Sequence, residues 1–457
     1  MLLVIAVASG CAADRTPRRT PPTSLPSKRP PPVREPAVCD GRSRVDVIDH
    51  HVALRVDPAA GTLAGHGTIV VRAVEETRSV AIEADGLVVD EAIFGAERRS
   101  FEQAGGRLCV ALDRPLRAGS SAALQLSWHR PASARPTEGP VRFYDGSQAW
   151  AGYGTSAWMP TVLAAAQRAT LDLTIDAPPG LDVVASGRRV EGERPRFVVD
   201  VPSPTFLFAF AVGRFAKAEL KVGDALLVAH GPSDADLADV LARTGAMLRF
   251  FETRLRARLP GDRYDQAFVK GDAAQEAVGL ALIGEDYVRD LKEHPQEDWV
   301  FSHELAHQWF ARALPCADFG DFWLNEGFAT FLVAAFKEEA WGKPAYEREI
   351  ELFRARSKKV TEQGKDAPVA PRPDAPREAD PKPGPRGITY SRGALVLHRL
   401  RAELGDPLFW SGLSRYVTDQ AGKSPRTGDF QRAMQTATGK DLGPFFDRWV
   451  YRPAPDL

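Results

Sequence analysis

His303 and His307 stand four positions apart in the run WVFSHELAHQWFARAL, residues 299–314. The run contains no glycine or proline and is expected to be one helix, on which residues i and i+4 share a face. Two imidazoles on one face can hold a single metal ion. Glu304, one position along, can reach a water bound to that ion, which is the H-E-x-x-H arrangement of hydrolytic zinc sites. Eighteen residues separate His307 from Glu326, which opens a second apolar helix in WLNEGFATFLVAAF. Two histidines and one carboxylate leave a fourth position open for water, as a catalytic zinc requires. The expected centre is therefore one Zn2+ per chain on His303, His307 and Glu326. Zinc-activated water would attack a polarised carbonyl, with Glu304 carrying the proton.

Other candidates are weaker. Asn325 and Thr330 flank or follow Glu326 and could support the ligands. His50, His51, His66, His129, His230, His294 and His398 are scattered and are not expected to bind metal. Cys316 has no cysteine nearby and reads as structural. The chain shows no glycine-rich phosphate loop, dinucleotide fingerprint or serine nucleophile elbow.

These side chains need a scaffold. From about Val45 to Gly213, short alternating or β-branched runs such as VDVIDHHVALRV and GTIVVRAV are punctuated by Pro58, Gly61, Gly65 and Gly86. No helical period is sustained there, so an all-β sandwich or saddle-like domain is expected over residues 40–215. Near Ser233 the period changes. SDADLADVLARTGAMLRFFETRLRARL reads as an amphipathic helix, Gln266 to Lys270 as a strand, and Asp298 to the end as mainly helical. The stretch from Gly364 to Gly387 is too rich in proline for a helix and is expected to be a long surface loop. The second domain, residues 216–457, is thus α+β and mainly helical.

HELAHQW, the eighteen-residue gap and WLNEGFAT together resemble the aminopeptidase N family of gluzincin metallopeptidases, peptidase family M1. TYSRGA at Thr389 to Ala394 is similar to the family's Tyr-x-Lys-Gly-Ala segment, with Arg392 in place of the lysine. SPTFLFAFAVGRF and the ending DLGPFFDRWVYRP also follow the family. The likeness runs from about residue 40 to 457 and suggests a short form without the further C-terminal domains of larger members. It implies a thermolysin-like catalytic domain and peptide substrates. It makes Tyr390 the hydrogen-bond donor to the tetrahedral oxyanion and Glu276 the acid that holds the substrate's free ammonium.

The chain departs from the family in three places. Ala273 to Ala277, AAQEA, stands where the family has Gly-x-Met-Glu-Asn and keeps only the acid. After Trp158-Met159-Pro160, TVLAA replaces Cys-Phe-Asp-Glu-Pro. The N-domain glutamine that helps hold the amine has no secure match, Gln148 lying near its place. An aminopeptidase is expected, with an endopeptidase or dipeptidase of the same fold left open. A catalytically silent peptide-binding scaffold is the alternative of another class. Glu304 and Tyr390 argue against it, because a silent protein has no need of a general base.

The chain has 457 residues, 44% hydrophobic and 26% charged, with a formal net charge of -1. This balance argues against a general nucleic-acid binder, which needs excess basic charge. Met1 to Ala8 is too short to span a bilayer. With Ser9, Gly10 and Cys11 it resembles a bacterial lipoprotein signal, residues 1–11, although no Lys or Arg precedes it and Ala8 stands where leucine is usual. Residues 12–39, dense in proline, read as a tether. The expectation is a protein anchored to a bacterial envelope membrane by a lipid on Cys11, or secreted if Cys11 is not acylated. Cys39 and Cys109 both fall in the first folded domain, where export permits a disulfide but sequence does not fix one. Oligomeric state is not legible.

Overall fold

In the first strand, Val45–Asp57, alternate residues turn inward. Val45 and Val47 are buried, then Val52, Leu54 and Val56. The change of parity comes from a bulge between Val47 and Asp49, where one extra residue flips the side chains that follow. The computed structural model describes residues 42–133, 135–233, 235–378 and 381–454. The expected signal (1–11), the tether (12–39), Cys11 and Cys39 lie outside the described residues. Cys109 is disulfide-bonded, and Cys316 is buried as a free thiol.

Val45–Asp57 lies in an eight-stranded sheet, antiparallel to Thr62–Ala73 and parallel to Arg168–Asp176. A three-stranded sheet and a four-stranded sheet complete the β-rich first half. One apolar core joins them, with Trp128 and Trp158 fully enclosed. The described helical pieces of this half are two single 3-10 turns, Thr155–Ala157 and Thr205–Leu207.

A five-stranded sheet follows, in the order Ala216–Val222, Ala225–Gly231, Arg263–Val269, Leu280–Gly284 and Ala274–Ala277. Its inner three strands are parallel and its two edges antiparallel. The helices are α1 (Leu237–Leu255), α2 (Glu285–Glu293), α3 (Trp299–Ala306), α4 (Trp323–Trp341) and α5 (Lys343–Glu362). They continue as α6 (Gly393–Leu404), α7 (Asp406–Gln420), α8 (Thr427–Thr438) and α9 (Gly443–Trp449). The fold is thus a β-rich N-terminal region followed by a mainly helical region built on a mixed sheet. Every residue of α4 from Trp323 to Lys337 is buried, as suits a helix that is largely apolar on all faces.

Three local expectations need correction. The amphipathic helix expected through Leu259 ends at Leu255, because Arg256 adopts a left-handed conformation with φ 49°. The run 299–314 is not one helix. It is α-helical to Ala306 and widens into a π-type turn over Gln308–Ala313, where Phe310 (φ -99°, ψ 66°) leaves helical geometry. There the Phe310 ring stacks on Phe328 at 4.7 Å. The proline-rich stretch has no regular element among the described residues between α5 and Arg386, yet it is not only surface. Val369 and Ala370 are buried and both donate to the Val450 carbonyl. Arg377 from the same stretch pairs with Asp318 and Asp321.

Candidate metal centre and substrate cleft

The centre is built where α3 meets α4. His303 and His307 project from the end of α3, with Nε2 atoms 3.1 Å apart. Glu326 comes from the first turn of α4, its Oε2 lying 3.3 Å from His303 Nε2 and 3.4 Å from His307 Nε2. The Phe310 carbonyl, turned by the break in the helix, accepts from His307 Nδ1 at 2.9 Å. That bond puts the proton on Nδ1 and leaves the Nε2 lone pair facing inward.

These residues fit a divalent cation. The three ligand atoms lie within 4.8 Å of one another and all three residues are buried. Beyond the two imidazole contacts of Glu326 Oε2, neither carboxylate oxygen of Glu326 has a hydrogen-bond partner, nor does Glu304 Oε2. Buried, unpartnered acceptors are costly unless a cation satisfies them. The electrostatics agree. Burial pulls the His307 imidazole down, but Glu276, Glu326 and Glu304 outweigh it and push it up to about 10. Burial raises Glu326, but His307 and His303 outweigh it and hold the carboxyl down at about 2. Glu304 is pushed well above the usual carboxylate range by burial and then by Glu276. A metal ion at the facing atoms would offset the crowding of the Glu276, Glu304 and Glu326 carboxylates.

Glu276 joins the same group. It lies on the edge strand Ala274–Ala277, and ligand atoms of Glu276, Glu304 and His307 come within 4.8 Å of one another. Burial pushes its carboxyl up to about 7, with His307 opposing and Glu326 adding. The strand is clamped to the turn after α3 by Gln308. Its Oε1 accepts from Gly279 N at 3.0 Å and its Nε2 donates to the Ala277 carbonyl at 3.0 Å. Tyr390 arrives from the turn before α6, its ring stacked on His303 at 6.0 Å between centroids. Gly327 and Gly393 allow this approach. A Cβ on Gly327 would lie 3.0 Å from the Gly393 Cα, and one on Gly393 3.1 Å from the Gly327 Cα.

Of the weaker candidates, Thr330 lines the cleft. Asn325 Oδ1 instead accepts from Cys316 N at 3.1 Å, fixing the chain before α4. Gln148 is committed elsewhere, accepting from Lys270 N at 2.6 Å. The β-rich half reaches the site through Tyr153, whose hydroxyl donates to Glu276 and whose N donates to Gln275 Oε1 at 3.0 Å. Sequence reasoning missed Tyr153 and Gln308, and neither sits in a pattern that marks it.

A cavity of about 760 Å3 opens on Glu276, Glu304, His303, Glu326 and Tyr390. A larger concavity, about 1140 Å3, is lined by Tyr346, His398 and Arg401 and contains none of these groups. The chemistry, not the size, identifies the first as the candidate site.

A peptidase family M1 domain matches residues 241–449, which include Glu276, the three ligand residues, Glu304 and Tyr390. Among characterised proteins, the chain is similar to aminopeptidase N of Streptomyces lividans, 28% identical over 305 residues, covering 62% of this chain and 35% of that protein. It is also similar to aminopeptidase A of Gloydius brevicauda, 29% identical over 272 residues, covering 56% of this chain and 28% of that protein. The chain thus spans about a third of the length of these relatives. Among solved structures, it is similar to an M1 zinc metallopeptidase variant from Deinococcus radiodurans bound to a Tyr-Ser-Ala substrate. The TM-score is 0.71 at 23% identity, covering 90% of this chain and 96% of that one.

Proposed function

Because the chain belongs to the aminopeptidase N family, peptidase family M1, we propose that it removes amino-terminal residues from peptides, using one zinc ion held by His303, His307 and Glu326. Zinc held there would supply Lewis acidity and would lower the pKa of a water toward neutrality. Glu304, buried beside the ligands, takes a proton from the attacking water and returns it to the leaving amine. Tyr390 donates a hydrogen bond to the carbonyl oxygen as it becomes an oxyanion. Glu276 pairs with the substrate's ammonium, and Tyr153 holds that carboxylate in place.

The observation that carries the amino-terminal reading is the position of Glu276, a buried carboxylate gathered with Glu304 and His307 and not needed as a ligand of the first cluster. It supports a fixed negative charge about one residue from the scissile bond. Leaving a buried ammonium without its partner costs about 2–5 kcal/mol. The test is one peptide, free and N-acetylated, assayed on wild type and on Glu276→Ala. Wild type is expected to prefer the free peptide by about 30-fold or more, and the variant to lose most of that preference. Equal wild-type rates on both forms would establish the endopeptidase reading instead.

The proposed place of action is a bacterial envelope membrane, through a lipid on Cys11. The support is the apolar run before Cys11 and the proline-rich segment after it. Cys11→Ser is expected to move the protein from the membrane to the soluble fraction, and unchanged partition rejects the anchor.

A further inference from the structure

One face of α5 forms a wall of the cleft. Leu352, Phe353, Arg356, Lys359 and Val360 all line it, at the three- and four-residue spacing of a single helical stripe. From Leu352 to Val360 the stripe is about 12 Å long, the reach of about three to four extended residues. Its polarity changes along the way, from Glu349, which is paired with Lys337, through apolar Leu352 and Phe353 to cationic Arg356 and Lys359. A third cation joins them. Gly387 packs on α5 so closely that a Cβ there would lie 2.3 Å from Val360 Cγ2 and 2.9 Å from the Arg356 carbonyl oxygen. Arg386, the preceding residue, also lines the cleft, with its guanidinium 4.6 Å from the centre of the Tyr390 ring.

The pairing of charges on α5 depends on the face. Lys343 pairs with Glu347, Arg354 with Glu351 and Lys358 with Glu362, each along the helix. None of those cations lines this cleft. Among the described residues, Arg356, Lys359 and Arg386 make no ion pair and no side-chain hydrogen bond. The other cleft cation, Arg142, is matched by Asp272. Three exposed cations without ion-pair partners along one wall give that wall a positive potential, which favours an anion there.

We propose that Arg356, Lys359 and Arg386 form a carboxylate subsite for the part of the peptide beyond the scissile bond. The inference rests on the proposed function, in which the peptide's ammonium is held at Glu276. A short zwitterionic peptide then matches the cleft at both ends, amine on the acidic wall and carboxylate on the basic one. The carboxylate comes from the C-terminus of a short peptide or from an acidic side chain in the same part of a longer one.

The test measures binding rather than turnover, so a failure to hydrolyse does not obscure it. Zinc-loaded Glu304→Gln protein is titrated calorimetrically with Ala-Ala-Ala as the free acid, with its C-terminal amide, and with Ala-Ala-Glu amide. The same titrations are run with Arg356→Gln and Lys359→Gln added; both residues are exposed, so the fold tolerates them. The free acid, the Glu-containing amide, or both are expected to bind about five- to tenfold tighter than the plain amide. Which one does so identifies the source of the carboxylate. The gap is expected to close in the added variant. Equal binding of all three peptides overturns the subsite, as does a gap that survives the two substitutions. If none of the three peptides binds, the peptide-cleft reading falls and the subsite falls with it.

Discussion

Glu304→Gln is expected to lower turnover by about 10²-fold or more while zinc content stays at one per chain. Glutamine keeps the shape of the side chain but cannot accept and return a proton. Glu304 lies outside the trio His303, His307 and Glu326, so its replacement removes no ligand of that cluster. Its Oε2 has no hydrogen-bond partner in the protein, which leaves it available to a water and to the leaving amine. His303→Ala is the matching control, since it takes away a ligand and is expected to lose the metal and the activity together. Near-normal turnover by Glu304→Gln would mean that another group carries the proton. Zinc retained in full by His303→Ala would sink the ligand assignment.

Arg392→Ala is expected to destabilise the protein by about 3 kcal/mol. Arg392 is fully enclosed and spends its whole guanidinium on fixed partners. Nε donates to Ser357 Oγ at 2.9 Å, Nη2 to Thr361 Oγ1 at 2.9 Å, and Nη1 to the Ala367 carbonyl at 3.2 Å and to Asp366. Truncation strands acceptors on α5 and on the start of the proline-rich stretch, and it opens a cavity. Asp366 is 22% exposed, so water recovers part of the charge term and the figure sits at the low end for a broken buried pair. Arg392→Lys keeps the charge without the planar fork and is expected to fall between the two. Because Tyr390 is two residues away, turnover by the folded Ala variant is also expected to drop. A loss below about 1 kcal/mol in denaturant unfolding contradicts this account.

What was legible in the sequence was whatever a period or a motif records. Alternation announced the strands, and the three- and four-residue period announced α1 and the later helices. The spacing of His303, His307 and Glu326 presupposes the end of one helix facing the start of the next, and the structure brings the three together. The end of α3 was not legible. Nothing local in QWFARA opposes a helix, and the break falls where Phe310 stacks on Phe328 from α4. Arg256 ended α1 early with no glycine to signal it. Gln308 and Tyr153 were invisible for a related reason. Their partners, Gly279, Ala277 and Glu276, lie 29, 31 and 123 residues away, and only the folded chain makes them neighbours.

The contact between Gly327 and Gly393 makes the proposed catalytic distances depend on two hydrogen atoms. Glu326 and Tyr390 belong to separate helical segments, and the gap between those segments is set where no side chain intervenes. A methyl group on either glycine acts as a spacer that pushes the proposed oxyanion donor away from the metal ligands while leaving every catalytic side chain intact. Such a variant would keep the proposed general base, ligands and amine-binding acid, and would still be poorly aligned. In any effort to re-engineer this scaffold, the cleft walls are open to variation, whereas these two positions act as the calibration of the instrument and must be left alone or changed together with the helices that meet there.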